Sequence, residues 1–150
     1  MKRSKLEIGS FFMVFLGVYT IIISFLWIFL TEIMFVSDFA YYTGQTYQQY
    51  LANEPELAQM YIITKKLIGF ILLANGIMIL LITQKSYRKA EKWSWFALLI
   101  GGNISWGTFI VYKIYIGYIG ISMITFAVGA ALLVVGLVFP IKEILVKKKV

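Results

Sequence analysis

Four long stretches without a charged residue, separated by charged residues, limit what this chain can fold into. They cover residues 8–31, 67–84, 93–112 and 114–141. A helix needs about 20 mostly apolar residues to cross the ~30 Å hydrocarbon core of a bilayer, and each stretch has about that length. Since 61% of the 150 residues are hydrophobic, we predict an all-α integral membrane protein: an antiparallel, left-handed bundle of four transmembrane helices.

The predicted spans cover about residues 8–35, 55–84, 93–112 and 118–140, in a single domain, with an outer loop at about 36–54. Within this loop, Thr43-Gly44 predicts a turn, because glycine tolerates positive φ, and residues 46–52 predict a short helix. Residues 53–56 combine a polar cap, an early proline and acidic residues, which predicts a helix start. The connection at 113–117 is short enough to predict a tight antiparallel hairpin.

The charge distribution predicts the orientation. Eleven of the 14 lysines and arginines lie before the first span, between the second and third spans, or after the fourth span. An even number of crossings puts these three regions on one side, and an excess of lysine and arginine marks the cytoplasmic side. We therefore predict a multi-pass protein of the cell membrane with both termini in the cytoplasm. The basic residues flank apolar spans, which favours anionic lipid headgroups over nucleic acid as partners.

The residue types that are missing limit the chemistry. The chain contains no cysteine and no histidine, which excludes disulfides, thiolate chemistry and the zinc and haem sites that those residues ligate. The seven acidic residues make no recognisable catalytic spacing. We predict no catalytic, cofactor-binding or metal-binding residues, and no enzymatic activity.

Small residues recur at intervals of seven along every span. The sets are Ser10, Gly17, Ser24 and Thr31; Gly69, Gly76 and Thr83; Ser94, Gly101 and Thr108; and Ser122, Gly129 and Gly136. Seven residues are nearly two helical turns, so each set lines one stripe. Small residues allow the close backbone approach on which helix association in lipid depends, so we expect the stripes to face inward and the helices to cross at about +20°. The alternative is chance, since these residues are common in membrane helices.

Two asparagines lie about halfway along their spans, Asn75 in the second and Asn103 in the third. An unpaired amide in hydrocarbon costs several kcal/mol. We therefore expect both to face the bundle interior and to hydrogen bond with each other or with Ser105. Such a polar cluster either serves packing or lines a path for a ligand or ion.

Charged residues also lie near the outer boundary, namely Glu32, Lys66 and Lys113. An ion pair between Glu32 and Lys66 is predicted, with Lys65 reaching to the surface instead. This set either anchors the helices at the interface or forms a charged gate or headgroup site. Eight of the ten tyrosines are also near this side, as an aromatic belt or as a surface for a partner or headgroup. They are Tyr41, Tyr42, Tyr47, Tyr50, Tyr61, Tyr112, Tyr115 and Tyr118.

The connection from Tyr87 to Trp95 reads Tyr-Arg-Lys-Ala-Glu-Lys-Trp-Ser-Trp. It resembles the loop pattern Tyr-Arg-x-Gly-Glu-x-Trp-x-Trp of uncharacterised small four-span prokaryotic membrane proteins, which are DoxX-like in architecture. Ala90 stands where that pattern has glycine. The resemblance implies a topology and transfers no activity and no site residue.

These observations predict a non-catalytic membrane protein, namely an accessory, scaffold or lipid-interacting subunit, with a membrane protein or a second copy of the chain as its partner. The alternative is a small transporter or carrier of a hydrophobic or cationic small molecule. The first span has no acidic residue before Glu32, which argues against proton-coupled exchange.

Overall fold

A computed structural model describes residues 4–117 and 120–146 of the chain, and this part is helical with no strand. Its elements are α1 (Lys5–Phe29), α2 (Thr31–Thr43), α3 (Tyr47–Asn53), α4 (Pro55–Lys85), a 3₁₀ turn (Tyr87–Lys89), α5 (Lys92–Gly102), a π-helical turn (Asn103–Gly107), α6 (Thr108–Ile116), α7 (Ile121–Val138) and α8 (Ile141–Leu145). The prediction of an all-α fold is confirmed for these residues.

Three helical segments in the described part are long and apolar enough to cross a membrane: Lys5–Phe29, Pro55–Lys89 and Lys92–Ile116. The fourth apolar helix, Ser122–Val138, is shorter. The start of the fourth predicted span at residue 118, Tyr118, and the basic residues at 2–3 and 147–149 lie outside the described residues.

The predicted outer loop is mostly helical. The chain breaks the first helix at Leu30 and then continues as α2 to Thr43, where Gly44 ends the helix with a φ of +70°. Thr46 then begins α3 with a reciprocal capping pair to Gln49. The turn at Thr43-Gly44, the short helix after it and the start of α4 at Pro55 lie where the sequence predicts them.

Helix α1 packs against α4 on one side and α7 on the other. Small residues make the first of these contacts close, since a Cβ atom on Gly17 would lie 3.3 Å from the Gly76 carbonyl oxygen and one on Gly76 would lie 3.2 Å from that of Gly17. The small residues of the predicted stripes are buried throughout α1 and α4. In α7, Gly129 and Gly136 are buried and Ser122 is half-buried.

The stripe predicted for the third span is wrong beyond Ser94. A Cβ atom on Gly101 would meet nothing within 4 Å, whereas one on Gly102 would lie 2.5 Å from a methyl group of Leu133. Thr108 is exposed. The buried face of α5 includes Trp95, Leu98 and Gly102, which lies about one residue from the predicted stripe. The Trp95 indole Nε1 donates to the Leu137 carbonyl oxygen at 3.0 Å, which is compatible only with this rotation of the helix towards α7.

The connection 86–95, α8 and residues 4–7 meet at one end of the molecule, which we call the α8 end. Pro140 has no amide hydrogen, so the Gly136 carbonyl oxygen has no partner four residues later along the chain. The buried Tyr87 hydroxyl donates to that oxygen at 2.6 Å. Glu143 accepts from the amides of Lys5 and Leu6 at 3.2 and 2.9 Å, which caps the start of α1. The α8 end therefore supplies partners for free backbone groups of two helices.

Candidate functional site

An aromatic cluster holds α2 and α3 against the first turns of α4. Phe39 and Tyr47 are buried there together with Ala58 and Ile62. The Phe39 ring centroid lies 5.1 Å from that of Tyr61 in α4. This packing fixes the position of Asp38, the neighbour of Phe39 in α2. We call this end of the molecule, with α2, α3, the start of α4 and the last turns of α6, the α3 end.

A buried ion pair joins α2 to α6 at the α3 end. The Lys113 ammonium donates to Asp38 Oδ2, and both side chains are only 1% exposed. Lys113 Nζ also lies 5.8 Å from the ring centroid of Phe126 in α7. The second carboxylate oxygen, Asp38 Oδ1, is buried without a hydrogen-bond partner among the described residues. Burial of an ion pair costs several kcal/mol per ion, which is offset only when the remaining lone pairs are also satisfied.

A second buried lysine lies beside this pair. Lys65 Nζ donates to the Tyr112 hydroxyl at 2.9 Å and lies 5.2 and 4.6 Å from the ring centroids of Tyr61 and Tyr112. Asp38, Lys113 and Lys65 together carry a net charge of +1. The prediction that Lys65 reaches the surface is wrong, since Lys65 is buried, and it is the neighbouring Lys66 that is exposed.

A cavity of about 420 Å³ lies next to the ion pair. Its wall is mainly apolar and aromatic and is formed by Asp38, Phe39, Tyr42, Thr43, Tyr61, Tyr112, Tyr115 and Ile116. Cavities of this size and composition, with a few polar groups that fix orientation, are typical of small-molecule sites. Four of the tyrosines that the sequence places on this side thus line one cavity.

The predicted outer set of charged residues does not come together. Glu32 and Lys66 are exposed and share a separate cavity of about 230 Å³, but no ion pair within 4.0 Å joins them in the described ranges. Lys113 pairs with Asp38 instead. Asp38 lies six residues after Glu32, about 120° around the helix, so α2 cannot turn both carboxylates towards α6.

The predicted polar cluster in the middle of the spans is reduced to a pair. Asn75 Nδ2 donates to Ser105 Oγ at 2.9 Å, and Ser105 Oγ donates to the Gly101 carbonyl oxygen at 2.9 Å. Asn103 is exposed, and its amide donates to the Leu99 carbonyl oxygen of its own helix at 2.7 Å. One donor of the Asn103 amide is thus used within its own helix, and Ser105 in place of Asn103 forms the contact with Asn75.

Asp38 is the site residue that the sequence analysis did not single out. Its only sequence signal is a carboxylate in an aromatic segment next to Phe39, and this does not identify its partner. Comparison of the chain with models of known protein families, with curated proteins and with solved structures finds no match. Function must therefore be inferred from the geometry of the α3 end.

Proposed function

We propose that this chain is a non-catalytic integral membrane protein that binds a small amphiphilic molecule at the α3 end, as a lipid-interacting or accessory subunit. The observation that carries the proposal is the aromatic cavity beside the Asp38–Lys113 pair, with one carboxylate oxygen that lacks a partner. An unsatisfied buried acceptor is costly, and a structural ion pair alone gives no reason for it.

We also propose that the chain crosses the bilayer four times, with both termini in the cytoplasm. The support is the wide apolar surface, with exposed large side chains on several helices, among them Phe70, Ile71, Ile104, Val111 and Ile124. Surfaces of this kind are rare on proteins that face only water. The shorter fourth helix is compatible with a crossing if flanking residues or local thinning of the bilayer accommodate the mismatch.

Reporter fusions at each terminus test this topology. We expect a cytoplasm-active reporter to be active, and an export-dependent reporter inactive, at both ends. A fusion within the turn after Gly44 is the matched control and should give the opposite pattern. Activity of the export-dependent reporter at either terminus would contradict the proposed orientation.

Copurification tests the binding function. The wild-type protein and an Ile116→Trp variant are purified in mild detergent, and bound molecules are identified by mass spectrometry of the intact complex. Ile116 lines the cavity and takes no part in the ion pair, so a larger side chain there should exclude the ligand without breaking the pair. We expect a small molecule or lipid on the wild type that is absent from the variant. Equal retention by both proteins would contradict binding in this cavity.

A carrier is the second candidate, since a transported molecule needs a site of this kind, with an apolar wall and few polar groups, within the protein. A carrier must expose its site to both sides of the membrane in turn. Uptake into vesicles of a molecule identified by copurification, abolished by Ile116→Trp, would favour the carrier over the accessory subunit. Binding without uptake would favour the accessory subunit.

A further inference from the structure

We infer that the ligand of the α3-end cavity is a neutral molecule with an apolar ring and one hydroxyl or N–H group that donates a hydrogen bond to Asp38 Oδ1. This inference rests on the proposed binding function and specifies its ligand class. It depends on three separate features of the site: an acceptor without a donor, the balance of charges and the shape of the walls.

The carboxylate supplies the acceptor. Asp38 Oδ2 is occupied by Lys113, and Asp38 Oδ1 has no partner in the part of the chain that the structure describes. Because the side chain is 1% exposed, bulk water does not satisfy this atom, and a ligand in the cavity reaches it only when a side chain of the wall moves aside. A ligand that donates one hydrogen bond to it removes this deficit. A ligand of the same shape without a donor leaves the deficit in place.

The charges disfavour an ionic ligand. Lys113 already neutralises Asp38, and Lys65 adds a further positive charge within electrostatic range of both. A cation that enters this cavity therefore loses its hydration without a net attraction. The net charge of +1 attracts an anion, but neither lysine is part of the cavity wall whereas Asp38 is, so an anion in the cavity would lie against the carboxylate. A neutral donor avoids both penalties.

The walls favour a flat apolar body. Tyr42, Tyr61, Tyr112 and Tyr115 contribute aromatic rings, and Ile116 and Phe39 complete most of the remaining surface. Aromatic faces pack well against other rings. A volume of about 420 Å³ accommodates a ring with a short substituent or the ring-bearing end of a longer amphiphile.

Four probes of nearly the same shape test the inference on the purified full-length protein in detergent. Benzyl alcohol is neutral and donates, toluene is neutral without a donor, benzylammonium is a cation and benzoate is an anion. Binding is measured by ligand-observed NMR and by the shift in melting temperature. We expect benzyl alcohol to bind about tenfold more tightly than the other three, as one hydrogen bond to a charged acceptor allows.

Two variants separate binding in the cavity from partition into detergent. Ile116→Trp fills the cavity and should abolish the preference for benzyl alcohol. Tyr41→Ala is the matched control, since Tyr41 is about as exposed as Tyr42 but is not part of the cavity wall. It should retain the preference.

The outcomes are distinguishable. Binding that requires the open cavity but is equally tight for toluene, benzylammonium or benzoate would overturn the inferred ligand class and leave the binding function intact. If no probe binds differently to the wild type and Ile116→Trp, the proposed binding function fails and the inference fails with it. A long-chain alcohol with a ring, delivered in lipid nanodiscs, distinguishes two sources of the ligand. Tighter binding of this alcohol than of benzyl alcohol would indicate a membrane lipid, and weaker binding would indicate a water-soluble molecule.

Discussion

The two ends of the molecule treat buried polar groups in opposite ways. At the α8 end, side chains supply partners to free backbone groups, with Tyr87 and Trp95 on the last turn of α7 and Glu143 on the first turn of α1. At the α3 end, a buried carboxylate has one oxygen without a partner and borders a cavity. Burial of a polar group does not itself indicate a site, and neither does incomplete pairing, since Ser10 Oγ, Trp106 Nε1 and Ser122 Oγ are also buried without a partner among the described residues. What distinguishes the α3 end is that its unpaired atom belongs to a carboxylate that borders a cavity, which is the basis of the proposed site.

The largest expected effect comes from the ion pair of the α3 end. Asp38→Asn or Lys113→Met leaves one buried charge without its counterion, and we expect a loss of roughly 3–5 kcal/mol of unfolding free energy. The double variant Asp38→Leu with Lys113→Met should recover most of that loss, because well-packed apolar residues often replace a buried pair without penalty. Unfolding by a denaturing detergent measures the unfolding free energy of the two single variants and of the double variant.

The double variant should nevertheless lose the preference for benzyl alcohol, since it has no acceptor. If it keeps this preference, the α3 end does not recognise its ligand through Asp38, and the contrast between the two ends disappears.

The middle of the molecule gives the next largest effect and serves as a reference for both ends. Gly102→Leu should lower the unfolding free energy by about 3 kcal/mol, because a Cβ atom at this position would lie 2.5 Å from Leu133. Gly101→Leu is the matched control in the adjacent position, where a Cβ atom would meet nothing within 4 Å, and should change stability by less than about 0.5 kcal/mol. Equal losses would show that α5 is rotated differently.

A smaller effect is expected at the α8 end. Tyr87→Phe removes the hydroxyl that donates to the Gly136 carbonyl oxygen and leaves that oxygen buried without a donor, at a cost of about 1–3 kcal/mol. Ligand binding at the α3 end should be unchanged, because no residue of the cavity is altered. Trp93→Phe is the control, since Trp93 is exposed. A change in the benzyl alcohol preference in Tyr87→Phe would mean that the two ends are coupled.

The smallest effect is a gain in stability. Ala90 has a φ of +57°, in the left-handed region that costs a residue with a Cβ atom about 1–2 kcal/mol. Ala90→Gly should therefore raise the unfolding free energy by about 0.5–1 kcal/mol, after the entropy of the unfolded glycine and the lost methyl contact are allowed for. A thermal melt of the two proteins side by side measures this. A lower melting temperature for the variant would show that the methyl contact outweighs the strain.

Local signals in the sequence predict the helices, because each depends on residues that are close along the chain. Pro55, Gly44 and the capping pair of Thr46 act within one turn, and the small stripes of α1 and α4 follow the helical period. The rotation of α5 and the partner of Lys113 were not predictable in the same way. Both depend on single long-range contacts, of Trp95 with Leu137 and of Asp38 with Lys113, which no periodicity records.

Asn103 shows the same limit for the polar residues. Depth along a span predicts where an amide lies, but the side chain can satisfy its donor within its own helix, as the bond from Asn103 to Leu99 does. Ser105, two residues later, forms the contact with Asn75 across the helices instead. Asn103 and Ser105 both lie in the π-helical turn, which changes the helical register between α5 and α6, and the sequence contains no clear signal for it.

Pro140 and Tyr87 should be read as one unit in evolutionary terms. The proline ring at position 140 leaves the Gly136 carbonyl oxygen without a backbone donor, and the Tyr87 hydroxyl donates to that oxygen instead, although 53 positions separate Tyr87 and Pro140 in the chain. In homologous sequences we expect the two to be exchanged together: where position 140 regains an amide hydrogen, phenylalanine at 87 becomes neutral, and where the proline remains, loss of the tyrosine should be selected against.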